Sequence, residues 1–100
     1  MKVKVKAKEK DGVVKAKVLI KHAMETGRRK DKQGVIIPAH HVTEVKAEYK
    51  GETIFSAEFG AGVSKDPFVK FQFKGKAGDQ ISVTATDNKG QTGKSEAAIK

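Results

Sequence analysis

Three histidines are the residues whose type and spacing most readily suggest chemistry. His22, His40 and His41 flank the stretch from residue 23 to residue 41, so a loop there would bring them close in space. Imidazole nitrogens from His22 and one of the adjacent pair could hold a transition metal. Adjacent residues on a strand point to opposite faces, so His40 and His41 cannot readily serve one ion. No carboxylate or thiolate stands in an evident position to complete the shell. Polar anchoring of the loop near the strand ends is the default reading, and no metal is expected.

Nucleophilic chemistry has less support. Ser56, Ser64, Ser82 and Ser95 sit in no nucleophile elbow and beside no evident base. Gly60-Ala61-Gly62 followed by Val63-Ser64-Lys65 lacks the strand-to-helix setting of a phosphate loop and reads as a turn before the strand after Pro67. The chain has no cysteine, which excludes disulfides, zinc–thiolate sites, iron–sulfur clusters and thiol nucleophiles. No catalytic residue and no cofactor are expected, and the chain reads as a binding protein rather than an enzyme.

Charge points the same way. The formal net charge is +9, from 21 basic and 12 acidic residues. Residues 1–50 hold 14 of the basic and 6 of the acidic ones, so the basic surface belongs mainly to the first half. Arg28-Arg29-Lys30, with Lys32 and nearby Lys21, would make a basic patch suited to an acidic partner. Single-strand nucleic-acid binders interleave exposed aromatics for base stacking. Here Tyr49 and the five phenylalanines fall nearly all at inward positions, so no nucleic-acid partner is expected. Lysines alternating along strands are also what solvated or edge strands use against aggregation.

The elements that must position these residues are strands. Period-two alternation runs through Lys2–Lys8, Val13–Lys21, Val42–Tyr49, Thr53–Phe59, Phe68–Lys74, Ile81–Asp87 and, more weakly, Gly93–Ile99. Asp11-Gly12 and Lys50-Gly51 mark short hairpin breaks; Gly75-Lys76-Ala77-Gly78 and Asp87-Asn88-Lys89-Gly90 mark further turns. About seven short strands in 100 residues predict one all-β domain, an immunoglobulin-like antiparallel β-sandwich over residues 1–100. With no tryptophan and no cysteine pair, the core is expected to rest on Phe55, Phe59, Phe71, Phe73 and the aliphatic set.

One region, from Ala23 to His41, has no sustained alternation. Structureless loops beyond roughly 12–15 residues are usually functional or disordered. Met24, Val35, Ile36, Ile37 and Pro38 make this one too apolar for a solvated linker, so it should dock on its own domain or on a partner. There is no apolar run of about 18 residues, hence no expected membrane span. The opening MKVKVKAKEK lacks the continuous apolar stretch of a secretory signal.

The run from Lys21 to Asp31, KHAMETGRRKD, followed by Ile37-Pro38-Ala39-His40, resembles the SoxZ family. SoxZ is the cysteine-free subunit of the periplasmic sulfur-carrier complex of bacterial thiosulfate oxidation. Ala23 stands where the family usually has proline. The likeness continues through Glu58-Phe59-Gly60, the segment from Val63 to Phe68, Phe71 to Gly75, and Asp87 to Gly90. The resemblance implies a non-catalytic scaffold that pairs with a SoxY-type subunit, whose C-terminal cysteine carries sulfur intermediates. It also implies transient contacts with thiosulfate-oxidising enzymes, and export to the periplasm together with the partner and without a signal peptide of its own. The surface expected to bind the partner comprises Met24, Glu25, Thr26, Gly27, Arg28, Arg29, Lys30, Asp31, Ile36, Ile37, Pro38 and His40. The alternative is a stand-alone immunoglobulin-like module for another protein or nucleic acid.

Overall fold

The computed structural model describes residues 1–22, 24–60, 63 and 66–100. Alternating lysine and small apolar residues in the first twenty positions leave one face of each strand apolar. That favours burial on one side of a pleated sheet. β1 (Lys2–Lys10) and β2 (Val13–Lys21) accordingly form a hairpin, and β5 (Phe68–Lys74) pairs with the other edge of β2. The second sheet contains β3 (Val42–Tyr49), β4 (Glu52–Glu58), β6 (Gln80–Asp87) and β7 (Thr92–Ala98), in the order β4-β3-β6-β7. All pairings are antiparallel. The predicted strand count and all-β class are therefore what the molecule shows. β4 joins the sheet of β3 instead of the sheet of β1, β2 and β5, where constant-type immunoglobulin domains place it.

Turn chemistry fixes the two tight hairpins. Asp11 and Gly12 have φ of 54° and 82°, and Lys50 and Gly51 have 53° and 80°. Two successive positive-φ residues belong to the turn whose twist matches paired strands, and the glycine takes the second position without steric cost.

The core is aliphatic. Val14, Val18 and Ile20 of β2 face Val42, Val45, Ile81 and Val83 of the opposite sheet, all fully buried. This corrects the expected reliance on phenylalanine, because Phe55, Phe59, Phe71 and Phe73 are only half-buried around that cluster. The reason is position. β4 and β5 are the edge strands on one side of the sandwich, where Phe55 stacks on Phe71 with centroids 4.5 Å apart. On the other side, Lys100 exchanges backbone hydrogen bonds with Ala7 and Glu9 of β1 (3.0 and 2.7 Å), which draws the two sheets together there.

The outward faces differ. Register places Lys6, Lys17 and Lys70 in one cross-strand row of the three-stranded sheet, and Lys8 beside Lys15 in the next. The four-stranded sheet shows the solvent a mixture of hydroxyls and both charges, with Lys46–Glu44 and Lys94–Glu96 pairs at 3.5 Å.

Candidate docking arm and its buried base

Between β2 and β3 the chain leaves the sandwich as a two-stranded arm. Glu25 and His40 exchange both backbone hydrogen bonds, at 2.7 and 2.9 Å. Lys30 and Ile36 form a second bridge, and the Ile37 N–H donates to the Arg29 carbonyl at 2.8 Å. The tip is closed by Asp31, whose Oδ1 accepts from the backbone N–H groups of Gln33 and Val35 at 2.8 and 3.0 Å. That is the local turn an Asp favours. At Gly27 φ is +85°, and a Cβ there would lie 3.2 Å from the Ala39 Cβ. The two sides of the arm approach so closely that only glycine sits there unstrained. Glu25 pairs with Arg29, Oε1 to Nη2 at 2.5 Å, and this hydrogen bond holds the Glu25 carboxyl below its usual range.

The base of the arm is polar and buried. Asp87, 3% exposed, ends β6 at an inward position. Its Oδ1 accepts from the N–H groups of Lys89 and Gln91 at 3.0 and 2.9 Å, and its Oδ2 lies 2.7 Å from His40 Nε2. Burial alone would raise this carboxyl. The hydrogen bonds from His40, Gln91 and Lys89, with the smallest share from the more distant His22, outweigh it and hold the group at about 2. The His22 ring lies edge-on to that of His40, centroids 4.5 Å apart. Its Nδ1 accepts from the Met24 N–H at 3.0 Å, and its Nε2 sits 3.5 Å from Asp87 Oδ2, a contact too long for a strong hydrogen bond. Burial, and then the neighbouring His40, push the His22 pKa down. Met24 is buried with φ +54°, and its sulfur accepts from the Val42 N–H at 3.3 Å. Asn88 completes the base, donating from Nδ2 to the Ala39 carbonyl at 2.9 Å and accepting from the His41 N–H at 2.8 Å.

A carboxylate does stand beside the histidines, contrary to the sequence reading. Donor atoms of His22, His40 and Asp87 all lie within 4.8 Å of one another. The tautomers favour an anchor over a metal shell. An N–H donating to His22 Nδ1 puts the ring proton on Nε2, the atom a metal would need bare. Asp87 meanwhile already accepts three hydrogen bonds, two of them from backbone N–H groups that would lose their partner's charge to an ion.

The residues expected to form the partner surface thus divide. Met24 and His40 belong to the buried base, while Glu25, Thr26, Gly27, Arg29 and Asp31 shape the arm through the contacts above and a Thr26 Oγ1 that accepts from the Arg28 N–H at 3.2 Å. Arg28, Lys30, Ile36 and Pro38 are exposed, and Ile37 is half-exposed. Val35, 59% exposed beside Ile36 at 56%, belongs with them although the sequence reading did not include it. Asp87 and Asn88 were also missed as anchors. The period-two pattern of Ile81, Val83 and Ala85, carried one step further, points Asp87 inward. Ala23, the departure from the family pattern, lies outside the described residues, as do Ala61, Gly62, Ser64 and Lys65 of the second glycine-containing turn.

Comparison with known proteins gives one family and one fold. No curated protein matches the chain. Among solved structures, a hypothetical protein from Pyrococcus horikoshii superposes with a TM-score of 0.67 at 14% identity, over 100% of this chain and 87% of that one. An oxidised superoxide reductase gives 0.64 at 16% identity, over 98% and 86%. A variant of the superoxide reductase (neelaredoxin) from Archaeoglobus fulgidus gives 0.64 at 19%, over 97% and 86%. Identities this low speak for the β-sandwich alone. The family described as sulphur oxidation protein SoxZ matches residues 1–98. Over that length it takes in both sheets, the arm and its base, and the chain belongs to the SoxZ family of sulphur oxidation proteins.

Proposed function

We propose that this chain is the non-catalytic scaffold of a periplasmic sulfur-carrier complex, pairing through its arm with a SoxY-type subunit whose C-terminal cysteine carries the sulfur intermediates. The observation that carries the reading is the arm itself. Its base is fixed by a buried carboxylate, yet Val35 and Ile36 near its tip lie more than half exposed. Arg28 and Lys30 stand beside them and make no ion pair among the described residues. Paired apolar side chains with flanking cations on a pre-shaped projection suit a protein interface, where binding costs least if the element is already ordered.

The absence of cysteine fits the division of labour. A carrier must present one sulfur to successive enzymes, and a second thiol nearby would invite disulfide exchange. The enzymes that load and unload the carrier make only passing contacts with such a scaffold, and neither nucleic acid nor membrane is a partner.

Co-expression with a neighbouring reading frame that ends in a Gly-Gly-Cys-Gly-Gly-like tail tests the proposal, with purification through a tag on this chain. Stoichiometric recovery of the second subunit is expected. Arg28→Glu with Lys30→Glu should lower that recovery at low salt, where charge contributes most. A monodisperse monomer with no co-purified subunit overturns the pairing.

A further inference from the structure

The outer face of the three-stranded sheet has a charge pattern that neither the fold nor the arm requires. Five lysines of β1, three of β2 and two of β5 point outward from it, and no acidic residue shares the face. Among the described residues the one ion pair made by these lysines is at the border, where Asp66, just before β5, lies 3.9 Å from Lys21. Lys17 is flanked directly across the strands by Lys6 on one side and Lys70 on the other. Like charges in direct cross-strand register weaken a sheet. Protection of sheet edges against aggregation accounts for lysines on β1 and β5. It does not account for β2, which is paired along both sides and has no edge to guard. Local rules broken without structural gain mark functional surfaces.

We propose that this face is a second docking surface, apart from the arm, that takes the acidic surface of a protein partner. In the carrier reading, on which this rests, such a partner is an enzyme the complex visits. The face carries an apolar patch at one end of its cationic field: Phe68, 52% exposed at the start of β5, sits directly across from Leu19. An aromatic anchor at the border of a charged field suits a protein interface. Nucleic acid fits less well. Phe68 is the only aromatic on the face, and its ring already carries the Lys70 ammonium at 5.5 Å, whereas single-strand binders offer several free rings. Both arginines, the residues best built for bidentate phosphate contacts, lie on the arm instead. A membrane surface would call for large apolar side chains gathered in one place to insert, whereas Val13, 38% exposed, lies at the opposite end of the face from Phe68. Lysines about 7 Å apart along each strand form a broad field of point charges. Such a field speeds encounter more than it tightens the complex, which suits a scaffold that must release each partner.

The test uses the complex of this chain with its carrier subunit and, one at a time, the purified thiosulfate-oxidising enzymes encoded beside it. The comparison is between wild type, K17E alone, and K6E/K17E/K70E. For at least one enzyme the triple variant should lower the association rate about tenfold at low salt, while dissociation changes far less. K17E alone should move two readouts in opposite directions. It sets a carboxylate between two lysines, so the melting temperature should rise while association slows about threefold. A merely solvated face would give the higher melting temperature without the slower association, and a misfolded variant could not give both. The proposal is overturned if every enzyme associates with the triple variant as with wild type. It is equally overturned if the charge-dependent ligand is a 20-nucleotide oligo-dT or a phosphatidylserine vesicle while no enzyme responds. Should the carrier subunit not co-purify with wild type, the carrier reading fails alone, and the same variants are judged with the free chain against the same enzymes.

Discussion

At its base the arm hangs from Asp87, whose buried carboxylate accepts from His40 and two backbone N–H groups. At its tip Val35 and Ile36 lie more than half exposed. One short segment therefore ends in a buried polar cluster and projects an uncovered apolar pair, the reverse of the usual partition of side chains. The polarity at the base is tolerated because Asp87 is hydrogen-bonded through both oxygens. The exposure at the tip has no such compensation within the chain. The contrast separates what holds the arm from what the arm is for, and substitutions at the two ends should part cleanly in what they disturb.

The largest effect belongs to the base. Asp87→Ala leaves His40 without its acceptor and strips two backbone N–H groups of theirs, at a cost of about 3–5 kcal/mol of folding stability. Urea denaturation of the variant measures this directly, and a loss below about 1 kcal/mol would mean the cluster does not anchor the arm. Acid should act on the same place. Asp87 titrates at about 2 in the folded protein against an ordinary 3.8. Its contribution, about 2 kcal/mol, is present above pH 3.8 and lost as the pH falls toward 2. His22 is depressed below 6.5, so the unfolded chain takes up that proton first. Stability should begin to decline as the pH drops through 6.5, before Asp87 adds its share. Melting temperatures from pH 8 to pH 2 would show two stages of loss, and H22Q should remove the first while sparing the second.

Midway along the arm, Gly27→Ala asks an L side chain to adopt φ near +85° with its Cβ 3.2 Å from that of Ala39. The expected cost is about 1–2 kcal/mol. Because the glycine shapes the arm without touching solvent-facing Val35 or Ile36, this variant should lose stability and partner binding together. A variant as stable as wild type would show that the two sides of the arm are free to separate.

Much of this was legible in the sequence, and the limits have physical causes. Alternation gave the seven strands because each has one buried face, and Val13–Lys21, Val42–Tyr49 and Phe68–Lys74 run between the same residues in the structure. Alternation says which way a side chain points but not how deep it lies. Phe55 and Phe71 do point inward, yet they sit on edge strands, and the burial expected of them goes to valines of the central strands. The arm was legible as a break in period, and its histidines as anchors. Their carboxylate partner was not, because Asp87 is distant in sequence and becomes a neighbour only when β6 pairs with β3. The lysine rows were hidden for the same reason. Lys6, Lys17 and Lys70 look like three separate solvated positions until register aligns them.

The smallest effect on folding, and the sharpest test of the contrast, lies at the tip. Val35→Ser with Ile36→Ser removes two exposed side chains from a turn whose hydrogen bonds run through Asp31 and the backbone, so stability should stay within about 0.5 kcal/mol of wild type. Pairing with the carrier subunit should nevertheless weaken by about tenfold or more, since exposed apolar residues on an ordered projection are where binding energy concentrates. Unfolding curves and co-purification, measured on the same preparation, decide the matter. If the tip variant pairs as wild type, the partner meets another surface, and the half-buried Phe55–Phe71 side of the sandwich becomes the place to look. If instead it unfolds early, Val35 and Ile36 belong to the fold, and the separation between an anchored base and a binding tip is wrong.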